Sequence, residues 1–185
     1  MPDDAISYRR IARAQEEYAA MGYRNIETPW MVSEEAIRVT LPPDCASFQS
    51  AGGSLVGSAE QGFIQMMLDG TLMPGRYQST GPCFRDEKKL SDLTRRWFMK
   101  LELIHYMPAE EDFSQVLRHA HYCMCMVAPH VRGLTLRRTP DGTDIEHCGI
   151  ELGSYGVRRM GEHIWVYGTG LAEPRFSLAM QTTGR

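Results

Sequence analysis

Four side chains close together in this chain have the chemistry to bind a nucleotide. Arg85 and Glu87 stand two apart in Phe84-Arg85-Asp86-Glu87, and Phe98 and Glu102 follow a polar loop. An arginine presents a planar fork of donors that matches phosphate oxygens. A glutamate accepts hydrogen bonds from an exocyclic amine. An aromatic ring on the return strand offers a face on which a flat base can stack. Residues two apart on a strand share a face, so Arg85 and Glu87 on a strand would meet one ligand with a phosphate end and an amine end. An ordinary Arg–Glu pair on a surface hairpin is the competing reading. Glu102 sits inside the apolar run Leu101-Glu102-Leu103-Ile104. A buried carboxylate is costly unless paired, so Glu102 calls for a cation, either from a ligand or from the chain itself.

These groups need a hairpin beneath them. Arg76-Tyr77-Gln78-Ser79 alternates in part, Lys88 to Thr94 is a charged turn, and Phe98 to Tyr106 alternates again with apolar residues fit for a central sheet. Residues 5 to 21 carry an apolar stripe at helical spacing (Ile6, Ile11, Ala14, Tyr18) and stop at Gly22. Tyr23 to Pro29 alternates and predicts a strand that ends at the proline or lies at an edge. Ser33 to Val39 predicts a short helix with Ser33 as its N-cap, and Leu41-Pro42-Pro43-Asp44 breaks it. Gly52-Gly53 marks a turn between short strands, and Gly57 to Leu68 opens a further helix. A helix is expected from Ala109 to Val127, with Glu110, Glu111 and Asp112 at its start. A strand over Leu134 to Thr139, a turn at Pro140-Asp141-Gly142, a strand over Ile164 to Tyr167 and a Gly-rich segment leading into a last helix complete the reading.

Composition sets the outer bounds. The 185 residues are enough for one domain with a core of its own, and 43% of them are hydrophobic. A net charge of −3 argues against a chain built around a large non-specific nucleic-acid surface, though not against a local one. No apolar run approaches the roughly 20 residues of a membrane-spanning helix, and the acidic start Met1-Pro2-Asp3-Asp4 does not resemble a signal peptide. Five cysteines (Cys45, Cys83, Cys123, Cys125, Cys148) form no disulfide framework, and Cys123-Met124-Cys125 lacks the spacing of a zinc site. The expectation is a cytoplasmic protein with reduced thiols, Cys123 and Cys125 packing as small apolar residues. His119 and His121 are two apart, not at the helical spacing of a metal pair.

Phe84-Arg85-Asp86-Glu87, its loop and Phe98 to Glu102 resemble motif 2 of class II aminoacyl-tRNA synthetases, in particular of the aspartyl, asparaginyl and lysyl subgroup. The resemblance implies that Arg85 holds the α-phosphate of ATP, Glu87 the adenine amine, and Phe98 the adenine ring. It puts Arg95 or Arg96 toward phosphate or a tRNA acceptor end. The helix–Gly–strand unit from Ala5 to Pro29 resembles motif 1, which implies a homodimer through that segment. Gly168-Thr169-Gly170 through Arg175 resembles motif 3, with Arg175 on the γ-phosphate side of ATP; Pro174 departs from the usual residue before that arginine. Asp144, seven residues on to Glu151-Leu152-Gly153, then seven more to Arg158, is similar to the aspartyl pattern. It implies that Asp144 and Glu151 hold Mg²⁺ with ATP and that Arg158 meets a substrate side chain. For these acids an exposed hairpin is the alternative, and for Arg158 a surface pair with Arg159.

Ser58-Ala59-Glu60 falls where the family grips the substrate's amino group, so Glu60 and Glu102 are expected to bind an ammonium. Glu60 otherwise reads as a plain helix-start glutamate, and Glu102 as half of an internal salt bridge to an arginine. Phe63 stands where aspartyl enzymes carry a lysine, which weakens aspartate as the substrate.

The three motifs span nearly the whole chain and imply an α+β fold, an antiparallel β-sheet flanked by helices, as one class II synthetase-like catalytic domain over residues 1–185. The implied chemistry is amino-acid activation with ATP and Mg²⁺, the aminoacyl group passing to tRNA or another acceptor. With no room for an anticodon-binding domain, a minimal ligase is expected. A ligase that makes a small amide, and a non-catalytic paralogue that binds nucleotide, tRNA or a protein partner, are the alternatives.

Overall fold

The computed structural model describes residues 6–41, 45–108, 112–128 and 133–181. Its centre is a seven-stranded sheet. In spatial order the strands are β1 (Arg24–Asn25), β5 (Gly75–Phe84), β6 (Trp97–Tyr106), β10 (His163–Glu173), β9 (Ile150–Met160), β8 (Gly142–His147) and β7 (Leu134–Thr139). Every pairing is antiparallel except that of β1 with β5. A small second sheet orders β2 (Met31–Val32), β4 (Gly53–Leu55) and β3 (Gln49–Ser50).

Among the described residues, five helices flank the sheets. They are α1 (Tyr8–Ala20), α2 (Glu34–Arg38), α3 (Ala59–Leu68), α4 (Asp112–Val127) and α5 (Arg175–Gln181). The Ser33 cap falls where predicted. Ser33 caps α2 and Ser58 caps α3 through their side-chain oxygens, each taking a backbone N–H that the first turn leaves unbonded. The predicted start of α4 at Ala109, with Glu110 and Glu111, lies outside the described residues, as do Ala5 and Pro42 to Asp44.

Alternation along β6 decides which side each group faces. Leu101 and Leu103 join a core with Tyr18, Val116, Tyr155, Leu171 and Phe176, beneath α1 and α4. Ile104 and Tyr106 join a second core with Ile37, Phe63, Tyr77, Trp165 and Tyr167, beneath α2 and α3. Phe98, Lys100 and Glu102 share the parity of this second face. The functional groups of β6 therefore lie on the α3 side, at the open end of the sheet.

Tyr23 to Pro29 lies at the edge of the sheet, one of the two outcomes expected, but only Arg24 and Asn25 form β1, in parallel register with Tyr77 and Gln78. The Gly-rich stretch 168–173 continues the strand expected from Ile164 and forms the second half of β10. Its glycines let large rings lie against the strand. A β-carbon on Gly168 would come 2.6 Å from the Tyr155 ring, and one on Gly170 would come 3.0 Å from the Tyr18 ring. A bulge between Thr169 and Leu171 shifts the register against β6. It is pinned by the Tyr18 hydroxyl, which donates to the Gly170 carbonyl at 3.0 Å, and by the Tyr155 hydroxyl, which donates to the Thr169 carbonyl.

Candidate active site

Two adjoining cavities open on the α3 face of the sheet. The smaller, about 60 Å³, lies between the loop after β5, the β6 face and the start of α5. The larger, about 240 Å³, reaches from there toward α2, α3 and β9.

Arg85 and Glu87 line both cavities, but not as strand neighbours. β5 ends at Phe84, and a last ladder bond from the Arg85 N–H to the Arg96 carbonyl at 2.8 Å closes the hairpin. The two residues converge because the loop turns back over the sheet. Arg85 donates from Nε to the Gly57 carbonyl at 3.1 Å, and its guanidinium lies 5.0 Å above the Phe98 ring centre. Phe98 and Arg95 line the smaller cavity. Arg96 is exposed and lines neither. Arg175 opens α5 at the far side of the smaller cavity, 3.3 Å from the Glu151 carboxylate. Five of the residues expected around ATP (Arg85, Glu87, Arg95, Phe98 and Arg175) thus surround a single cavity.

The carboxylates expected to bind an ammonium are already occupied. Glu60 is 4% exposed. Its Oε2 accepts from Arg158, and its Oε1 accepts from the Trp165 indole N–H at 2.8 Å. Arg158 in turn lies 3.9 Å above the Tyr167 ring. Burial works against the Arg158 charge, and the Glu60 carboxylate more than offsets it, so its pKa is raised. A glycine makes room for this stack. A β-carbon on Gly156 would come 2.4 Å from the Asp141 carbonyl oxygen and 2.7 Å from the Tyr167 ring.

Glu102 is fully buried and lines neither cavity. Its Oε2 accepts from the Ser58 hydroxyl and pairs with Lys100 Nζ at 2.7 Å, while Oε1 has no partner among the described residues. Burial pushes its pKa up, and Lys100 and Ser58 pull against that rise. An internal salt bridge does form, but to Lys100 rather than to an arginine, and Lys100 is a residue sequence reasoning passed over. The signal was present: Phe98, Lys100 and Glu102 stand at alternate positions of one strand.

The acids expected to hold Mg²⁺ are separated in use. Glu151 lines both cavities. Asp144 lines neither and pairs with Arg137 at 2.7 Å, the same guanidinium that holds Glu146. In register Asp144 faces Ser154, while Glu151 faces Glu146. Among the described residues no three His, Cys, Asp or Glu side chains come close enough to hold a metal. Asp144 and Glu151 thus do not line one cavity together, and of the two only Glu151 faces the space between the loop after β5 and α5.

Comparison with known proteins places this arrangement. No protein-family model and no curated protein matches the chain. Pyrrolysyl-tRNA synthetase from Desulfitobacterium hafniense superposes with a TM-score of 0.74 over 94% of this chain and 69% of its own, at 17% identity. The fold is that of a class II synthetase catalytic domain. Seryl-tRNA synthetase from Pyrococcus horikoshii, solved with ATP, superposes at a TM-score of 0.66 and 17% identity, over 92% of this chain and 48% of its own. The cytoplasmic serine-tRNA ligase of Naegleria fowleri, solved with AMP, gives 0.65 and 16% over 91% of this chain and 46% of its own. The chain thus spans about half the length of these seryl enzymes. These likenesses carry the class II fold without sorting the chain into the aspartyl, asparaginyl and lysyl subgroup. No described helix is long and apolar enough to cross a membrane.

Proposed function

We propose that the protein activates a carboxylic acid, most simply an amino acid, by forming its adenylate with ATP. The observation that carries this reading is the convergence of Arg85, Glu87, Phe98 and Arg175 on one cavity that opens directly into a second, larger one. In this reading Phe98 stacks the adenine, Glu87 accepts from its amine, and Arg85 and Arg175 hold the phosphates. A carboxylate oxygen in the larger cavity then bonds to the α-phosphorus as the bond to pyrophosphate breaks. Pyrophosphate leaves with the electron pair, and no covalent nucleophile of the chain is needed. Fixed guanidinium groups stabilise the charge that builds on the phosphorus, and the joined cavities supply alignment. With Asp144 held by Arg137, no step is drawn through a magnesium ion.

Arg158 has its charge supported by Glu60 and faces the larger cavity, which suits an acidic or amide group on the substrate. Arg95 at the cavity and Arg96 outside it suit the phosphates of an acceptor such as a tRNA end. Homodimer formation through the segment that ends at Pro29 belongs to the same reading and is supported by the exposed Tyr8, Trp30 and Met31.

The test is amino-acid-dependent ATP–pyrophosphate exchange across the standard amino acids, with Arg85→Ala as control. Exchange with one amino acid that is lost in the control is the expected result; ATP binding without exchange would sink the catalytic reading. A second reading, a nucleotide-binding paralogue without catalysis, draws on one observation. Glu60, Glu102, Asp144 and Glu151 are all paired with cations of the chain itself.

A further inference from the structure

Five residues line both cavities: Arg85, Glu87, Lys100, Glu151 and Thr169. Two of them are cations, and they differ in how they are held. Arg85 lies over Phe98 on the loop side. Lys100 rises from β6, which is flanked by β5 and β10 in the middle of the sheet. Its side chain is 12% exposed, and Glu102 beneath it is wholly enclosed. An ammonium has three donors. One meets Glu102 at 2.7 Å and another approaches the Ser58 hydroxyl at 3.4 Å. The third has no partner among the described residues, and what lies in front of it is the junction of the cavities.

Position along β6 says what would meet that donor. Two residues of strand advance about 6.5–7 Å, so Lys100 stands one such step from Phe98 on the same face. An adenine on Phe98 would put the α-phosphate side of the nucleotide near this step. The reaction brings two anions, a carboxylate and a phosphate, to about 3–3.5 Å at that place. Their repulsion must be offset by a cation between the cavities. Arg158 stands on the far wall and is committed to Glu60 and Tyr167.

Resting on the adenylate-forming reading above, we propose that Lys100 receives the substrate's reacting carboxylate where the two cavities meet, with Glu102 as the positioning residue that pins its ammonium there. This gives the buried acid a purpose. A leucine would suit the apolar strand better, and an enclosed carboxylate with one unpartnered oxygen is costly. Glu102 holds the Lys100 ammonium at 2.7 Å and prevents its flexible stem from swinging into solvent.

The experiment compares the wild type with Lys100→Met and Glu102→Gln. The double variant Lys100→Met/Glu102→Leu removes both charges together, in case the single change fails to fold. Binding of ATP is measured by calorimetry. Binding of each standard amino acid is set against that of its amino alcohol, which keeps the side chain and the amine but lacks the carboxylate. The wild type should bind the acid at least about tenfold tighter than the alcohol for its preferred side chain, consistent with one charge-assisted hydrogen bond. Lys100→Met and the double variant should abolish that preference while leaving ATP affinity within about threefold. Exchange should fall by about a hundredfold or more, in the range for loss of one positioned donor. Glu102→Gln should raise KM for the amino acid and shift the pH profile of exchange, with ATP affinity unchanged.

Acid preference retained without Lys100 overturns the proposal. So does a loss of ATP affinity in its place, which would give Lys100 to the phosphates, and so does a wild type that binds no acid more tightly than its alcohol. A wild type that shows the preference, loses it with Lys100 and yet exchanges nothing would uphold the carboxylate site while refuting catalysis.

Discussion

Replacing Glu60 by leucine tests the ion pair of the site that also holds a buried indole. Glu60 holds two partners at once, the Arg158 guanidinium and the Trp165 indole N–H. Trp165 is fully buried, so the substitution leaves its N–H without an acceptor, a cost of about 1–3 kcal/mol. Breaking an enclosed pair costs about 3–5 kcal/mol and an exposed pair about 0–1. The Arg158 side chain is 32% exposed, and solvent screening brings its share down to about 1–2 kcal/mol. The expected loss is about 3 kcal/mol, worked from those two parts. For a chain of this size that lowers Tm by roughly 6–12 °C. Urea unfolding followed by tryptophan fluorescence gives the free energy, and near-ultraviolet circular dichroism reports on the packing of Trp165. Arg158→Met should cost about 2 kcal/mol, because Glu60 keeps the indole but loses its cation. The double variant should cost less than the sum of the two by about 1 kcal/mol or more, since neither charge is then left alone. Additive costs, or a Glu60→Leu loss below about 1 kcal/mol, would refute the account of Glu60 as a saturated structural carboxylate and reopen it to an ammonium.

Three further outcomes follow from the geometry. Phe98→Ala should weaken ATP binding by about tenfold, the scale of one lost base–aromatic stack, with Phe98→Trp restoring it in calorimetry; unchanged affinity would move the base elsewhere. Burial raises the Glu102 pKa above its ordinary 4.5, so the folded chain holds that proton more tightly than the unfolded chain. Its contribution to stability is then greatest below pH 4.5 and declines as pH rises through the folded value. The stability difference between Glu102→Gln and the wild type should therefore change with pH above 4.5 and be flat below it; a difference independent of pH throughout would contradict the shift. In the native protein a small alkylating reagent should label the exposed Cys45 and Cys148 well before Cys83 and Cys123, whose thiols burial pushes up to about 12. Mass spectrometry of peptides at early times reads the order, and early labelling of Cys83 would contradict its enclosure.

Alternation and capping made much of the fold legible. The β5–β6 and β7–β8 hairpins stand where apolar alternation and turn residues put them, and Ser33 begins the helix it was expected to begin. Pattern reading failed where side chains far apart in sequence decide the outcome. Nothing in the sequence around Gly168 and Gly170 announces the Tyr155 and Tyr18 rings that fill the space they leave. Around the site, residue type told which groups were ionisable but not which would find each other. Glu102 called for a cation and found Lys100, its neighbour on the same strand face, while Glu60 found Arg158 from β9 and Asp144 found Arg137 from β7. Pairing across strands depends on register, and one bulge in β10 is enough to change which residues meet.

That bulge has a mechanical consequence. Past it, Glu173 is carried into the interior at the end of β10, where Arg10 of α1 pairs with it at 2.6 Å. The same carboxylate accepts from the backbone N–H of Ser177, inside the first turn of α5, and Arg10 also donates to the Ser177 hydroxyl at 2.6 Å. Arg175 stands between these two anchors at the mouth of the smaller cavity. Arg10 is thus a tie-rod between the outer helix and the platform that aims Arg175. A load applied to α1 from outside, by a second copy or any other body pressing on it, is delivered to the phosphate end of the cavity through three side chains rather than through the whole sheet. Cutting the rod with Arg10→Ala should loosen nucleotide binding at a distance while leaving every cavity-lining residue in place, and ATP calorimetry on that variant reads the transmission directly.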